Sequence, residues 1–250
     1  MIYLIDIYQA VMNNVFRALL VFHICAGAIA LVVAPGAMVT VKGGRWHRRW
    51  GKIYFWAMMV IAATGAVMSF LHPSFFLLMV AVFSFYLVFS GYRVLHRKKP
   101  GQRAALLDHA AALAMLFGGL CFVGYGVYGL QTSSFGVVPI VFGAIALFLA
   151  GGDMVQFQRP PAEPRWWWFS HMRNMLAAYI ATVTAFAVVN LKFLPPVTRW
   201  LWPTLIGTIG IAVWTRHYRR KFAQQGEHTA LAVSERAQRT EKDHSGEWSS

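Results

Sequence analysis

The stretch WWWFSHMRNMLAAYIATVTAF, residues 166–186, opens with three tryptophans and then runs almost wholly apolar. Such a run has one straightforward physical reading. A helix rises about 1.5 Å per residue, and the hydrocarbon layer of a bilayer is about 30 Å thick, so roughly 20 apolar residues make one crossing. Tryptophans suit the water–lipid boundary, because the ring body is apolar and its N–H is polar. Ser170, His171, Arg173 and Asn174 interrupt the first turns of this greasy segment. Their reason for being there depends on the rest of the chain.

Comparable runs recur near 18–40, 53–71, 75–92, 104–129, 135–152 and 198–215, so that with 166–190 there are about seven. The chain has 250 residues, of which 58% are hydrophobic and only 13% charged, too apolar for an ordinary soluble domain. Backbone polar groups cannot stay unpaired in lipid, and the alternation of barrel strands is absent, so the runs are expected to be helices. The expected fold is all-α, a polytopic transmembrane helical bundle of about seven spans. Residues 1–16 read as an outer interfacial lead-in, 17–222 as the membrane domain, and 223–250 as a polar tail, disordered or a frayed helix. The N-terminus has no basic region ahead of its apolar part, so no removable signal peptide is expected.

A formal charge of +14 raises the question of nucleic acid. The distribution of that charge answers it. Basic residues cluster in KGGRWHRRWGK (42–52), RVLHRKK (93–99), around Arg159 and Arg165, and in RHYRRK (216–221). The alternate turns LHPS (71–74) and QTSS (131–134) carry no Lys or Arg, and the turn before the last span has only Lys192 and Arg199. This is the positive-inside pattern, which predicts an outer N-terminus and a cytoplasmic C-terminus. The expected partners are the bilayer and its anionic headgroups, with no nucleic acid. The two cysteines, Cys25 and Cys121, both fall inside spans and suggest no disulfide framework.

Acids and histidines inside the membrane unit are few and share a geography. Asp153 ends the fifth span and Asp108 opens the fourth. His47 begins the second, and His109 and His171 lie about two turns into the fourth and sixth. All these residues belong to the same membrane side. Ionisable residues inside spans are costly and are functional candidates. Snorkelling of amphipathic side chains to water is the plainer alternative. His23 stands apart in VFHICAGAIAL (21–31), on a face with Ala26, Gly27 and Ala30 that leaves room for another helix or a flat ligand. Arg48, Arg49, Arg173 and the tryptophans 166–168 read most simply as interface anchors.

The elements HICAGAIAL in the first span, HRRWGKIYFWAM opening the second and SHMRNMLAAYIATVTAFAVVN in the sixth resemble a bacterial membrane-protein family, domain of unknown function 2306. The resemblance covers most of residues 18–215. It rests on HR-x-x-G-x-x-Y at His47–Tyr54 and H-x-x-x-M-x-x-A-Y at His171–Tyr179. It implies a multi-pass protein of the bacterial inner (plasma) membrane, and treats His23, His47, His109 and His171 as one set. It implies no activity.

Three functions stay open. The first is a haem b electron-transfer component, with His109 and His171 as axial ligands, His23 as a further cofactor-binding candidate, and Arg48, Arg49 and Arg173 near the propionates. The second is a zinc-dependent membrane hydrolase with metal ligands His47, His109, His171 and Asp153. The third is a non-enzymatic transporter, assembly factor or scaffold, without any cofactor, in which the histidines only tie helices together. Haem leads the two chemical readings because arginines surround the site. Zinc-helix spacings such as H-E-x-x-H are absent.

Overall fold

The computed structural model describes residues 2–99, 102–159, 161, 163 and 165–247, and side chains only for residue 9 and for those of residues 11–225 within that set. Seven α-helices account for nearly all of it: α1 (Ile2–Val39), α2 (Arg45–Leu71), α3 (Phe75–Arg93), α4 (Leu106–Gly129), α5 (Val137–Gln158), α6 (Trp166–Asn190) and α7 (Pro196–Glu247). Single 3-10 turns follow α3 (Val94–His96) and precede α5 (Ser134–Gly136). No strand occurs among the described residues.

Among the described residues, six helical segments are long and apolar enough to cross a membrane: Val11–Val39, Arg45–Leu71, Phe75–His96, Leu106–Gly129, Ser134–Gln158 and Trp166–Asn190. The seventh expected span, near 198–215, lies within α7 but is not among them. Arg199, Trp200, Trp202 and Pro203 dilute its apolar run at one end, and Arg216 follows at the other. The expected lead-in over 1–16 is not a separate element either, since residues 2–16 continue without a break into α1. The tail is helical as far as Glu247.

The chain forms two compact units, one up to Gly207 and one from Thr208 onward, the second being the remainder of α7. In the first unit α1 packs on α2 and α6, and α3 packs on α2 and α6, which closes a ring of four helices. An α4–α5 hairpin attaches to that ring chiefly through α3. Consecutive spans alternate in direction. The end of α1, the start of α2, the end of α3, the start of α4, the end of α5 and the start of α6 therefore meet at one end of the unit. That end carries the basic loops and is called here the basic end.

Small residues set these contacts. A Cβ on Gly143 would lie 2.7 Å from the Gly119 carbonyl, and one on Gly126 2.6 Å from the Gly136 carbonyl, so α4 touches α5 and the 3-10 turn before it backbone to backbone. Lipid offers no hydrophobic drive between helices, and dispersion at such close approach replaces it. Ala30, Met58, Tyr54 and Ala178 fill the four-helix ring. Facing outward are large apolar side chains such as Phe117 (70% exposed) and Phe148 (75% exposed), a surface made for acyl chains rather than water.

Candidate histidine site at the basic end

The chain leaves α1 through a turn in which Gly43 takes φ +76°, the left-handed region open to glycine. That turn folds α2 back so that His47 reaches the end of α1, where helix carbonyls lack intrahelical partners. The His47 Nδ1–H donates to the Ala37 carbonyl at 2.9 Å. Lys42 joins it, donating to the Ala37 carbonyl at 3.4 Å and also to that of Met38. Partial burial there pulls the Lys42 ammonium pKa below the ordinary lysine range.

His171, in the second turn of α6, donates from Nδ1 to the Gly91 carbonyl of α3 at 2.8 Å. Glycine is needed there. A Cβ on Gly91 would lie 3.1 Å from the Asn174 Cβ and 3.3 Å from the Met175 backbone N, so its absence lets α6 come close enough for the bond.

These two imidazoles meet across a diagonal of the four-helix ring. The His47 and His171 ring centroids are 6.2 Å apart, with planes at 78°. Helices α2 and α6 supply the rings, while α1 and α3 supply the carbonyls that hold them. A carbonyl oxygen only accepts, so Nδ1 carries the hydrogen in both rings, and in the neutral form each Nε2 keeps a lone pair. This is the arrangement that orients a ligating histidine. Lys42 and Lys98 lie within electrostatic range of His171.

His109 takes a different place. Its Nδ1–H donates to Ala105 of its own helix at 3.0 Å, and its ring packs on Phe157 of α5 at 4.9 Å. The structure pairs His171 with His47, and among the described residues shows no ring contact between His171 and His109. His23 donates from Nδ1 to the Thr64 Oγ1 at 2.9 Å. The Thr64 hydroxyl donates in turn to the Val60 carbonyl at 2.6 Å, which leaves its oxygen free to accept. Arg49 stacks on Trp46 of its own helix at 5.4 Å and Arg48 is exposed.

Asp153 belongs to a second polar group. Its Oδ2 accepts from the Tyr86 hydroxyl at 2.7 Å, and the Arg173 guanidinium lies 3.9 Å from its Oδ1. Asp108 accepts two bonds from Arg93, at 2.7 and 3.1 Å, and a third from the Ala105 N–H at 2.8 Å. Asn174 donates to the Ser90 hydroxyl at 3.0 Å. Among the described residues, no group of three or more His, Cys, Asp or Glu converges on a metal position. The four-ligand set is thus divided among three sets of contacts: His47 with His171, His109 with Ala105 and Phe157, and Asp153 with Tyr86 and Arg173.

Sequence reasoning missed Tyr86, Arg93, Gly91, Ser90 and Thr64. Arg93 and Asp108 carried a usable signal: opposite charges at the end of one span and the start of the next share a depth and tend to pair. Ser90 and Thr64 carried none, since a short hydroxyl in a span can satisfy itself on its own helix, and Tyr86 is one aromatic among many in an apolar run.

Compared with family models, curated proteins and solved structures, the chain matches none. The several long apolar helices nonetheless mark it as an integral, multi-pass membrane protein.

Proposed function

We propose that His47 and His171 ligate the metal centre of a cofactor, and that this cofactor is a b-type haem serving electron transfer. The carrying observation is the ring pair, 6.2 Å between centroids with both Nδ1 atoms tied to backbone. Each ring keeps an Nε2 lone pair, and the 6.2 Å between ring centres would leave room for one metal ion between two imidazole donors. Haem bound there would supply one-electron chemistry. The chain would supply orientation, through Ala37 and Gly91, and cations for the haem carboxylates, through Lys42 and Lys98. In this reading His47 and His171 would hold the group, in place of His109 with His171.

One observation favours a smaller occupant as a second reading. Close packing of α3 on α6 at Gly91 leaves little width for a macrocycle beside His171. A single transition-metal ion would need none. A zinc hydrolase would require His109 and Asp153 at the same centre, and their contacts with Phe157 and Tyr86 give that reading no support.

Two of the three sequence elements that resemble domain of unknown function 2306 bear His47 and His171, and membership in that family is part of this reading. The positive-inside pattern supports a cytoplasmic basic end, and the family resemblance is what points to the bacterial inner membrane.

Purification in mild detergent, with spectra before and after dithionite and metal analysis, tests the reading. Haem gives a Soret band that shifts on reduction and disappears in His47→Asn and His171→Asn. A colourless sample with one metal ion per chain selects the second reading. A colourless, metal-free protein rejects both and leaves the imidazoles as ties between helices.

A further inference from the structure

Arg97 follows the 3-10 turn after α3 and is only 8% exposed. Its Nε is buried without a hydrogen-bond partner. The plane rests instead on aromatic faces, 4.6 Å from the Phe157 ring centre and 5.6 Å from that of Trp166. A buried, unpaired cationic donor is expensive, and burial lowers the Arg97 pKa against the opposing pull of Asp108 and Asp153. The side chain lines a cleft with Tyr86, Ser90, Arg93, Asp108 and Phe157.

The neighbouring charges are already engaged. Arg93 is spent on Asp108 through two bonds, and Arg173 faces Asp153. Against two carboxylates the cluster sets three guanidiniums, so Arg97 is the surplus. Lys98, 4.7 Å above the Trp167 ring, adds a further cation next to it. The tryptophans fix the depth as that of the lipid–water boundary, where phosphate groups lie.

We propose that the cleft beside Arg97 binds a phosphate group, carried by an anionic phospholipid headgroup or free in solution. The planar guanidinium can offer two parallel N–H donors to phosphate oxygens, and the aromatic faces hold it flat while it does so. An anion there would also give the buried Nε its missing acceptor. This site does not depend on a cofactor at His47 and His171.

The test uses the full chain, delipidated in mild detergent. Native mass spectrometry and thermal unfolding are read with added phosphatidylglycerol, with phosphatidylcholine, and with inorganic phosphate. Wild type should retain phosphatidylglycerol over phosphatidylcholine and melt higher in its presence. R97Q should bind it about ten-fold less tightly, and R97K should fall between, since an ammonium cannot give two parallel bonds. Competition by inorganic phosphate identifies the bare phosphate as sufficient; failure to compete assigns the site to the lipid. K98A serves as the control for general surface charge. Equal binding by R97Q, an equal loss in K98A, or no binding of either anionic probe by wild type overturns the proposal. If R97Q does not fold, R97K and the wild-type preference still decide it.

Discussion

Gly91 and His171 meet through a 2.8 Å hydrogen bond from the imidazole Nδ1 to the glycine carbonyl, across the closest part of the α3–α6 contact. Both members are needed at once: the ring supplies the donor, and the missing methyl supplies the approach. Gly91→Ala should force α3 and α6 apart by a few tenths of an ångström and destabilise by about 1–3 kcal/mol. Any ligand of His171 should weaken with it. Gly65→Ala is the matched control, because a Cβ there meets the His23 Cε1 at an ordinary 3.5 Å. Thermal unfolding of the two variants should separate them clearly.

Asparagine substitution distinguishes a ligand from a tie. Its amide sits near the position of Nδ1 and can donate to the same carbonyl, but nothing occupies the place of Nε2. His47→Ala and His171→Ala should each lose about 0.5–1.5 kcal/mol from the broken bond. The Asn variants should recover much of that stability while losing the cofactor. Retention of full colour or metal by the Asn variants would contradict the ligand role.

Asp108 holds three bonds with two oxygens and is buried, whereas Arg93 is partly open to solvent. Asp108→Ala should cost about 2–3 kcal/mol, since it strands both a guanidinium and a helix-start N–H. The double variant with Arg93→Ala should lose less than the sum of the singles. A purely additive result in a double-mutant cycle would show that the pair is not coupled.

Tyr86→Phe removes one oxygen and leaves Asp153 with Arg173 at 3.9 Å, beyond hydrogen-bond range. A buried carboxylate missing its donor should cost about 1–3 kcal/mol. Chemical denaturation of the purified protein measures it, and a variant as stable as wild type would mean the hydroxyl contributes nothing net.

Span positions and the shared depth of His47, Asp108, His109, Asp153 and His171 were readable in the sequence, because length, apolarity and basic loops fix them. The pairing was not. In α4 the lipid-facing and interior-facing positions are equally apolar, so nothing in the pattern reveals that His109 turns toward Phe157 while His171 turns toward His47. Thr64 was invisible for a related reason: its hydroxyl bonds to its own helix as well as receiving His23. The seventh span marks another limit, where Arg199 and two tryptophans sit at the start of an otherwise apolar run.

The seam between α3 and the α4–α5 hairpin is fastened at both of its ends. Arg93 grips Asp108 and Tyr86 grips Asp153 at the basic end. At the far end Phe76 of α3 meets Phe122 and Phe135, with ring centroids 6.0 and 5.4 Å apart. A transporter that rocks open alternately toward each side of the membrane would have to undo one of these fastenings in every half-cycle. Along this seam, the molecule is clasped at top and bottom.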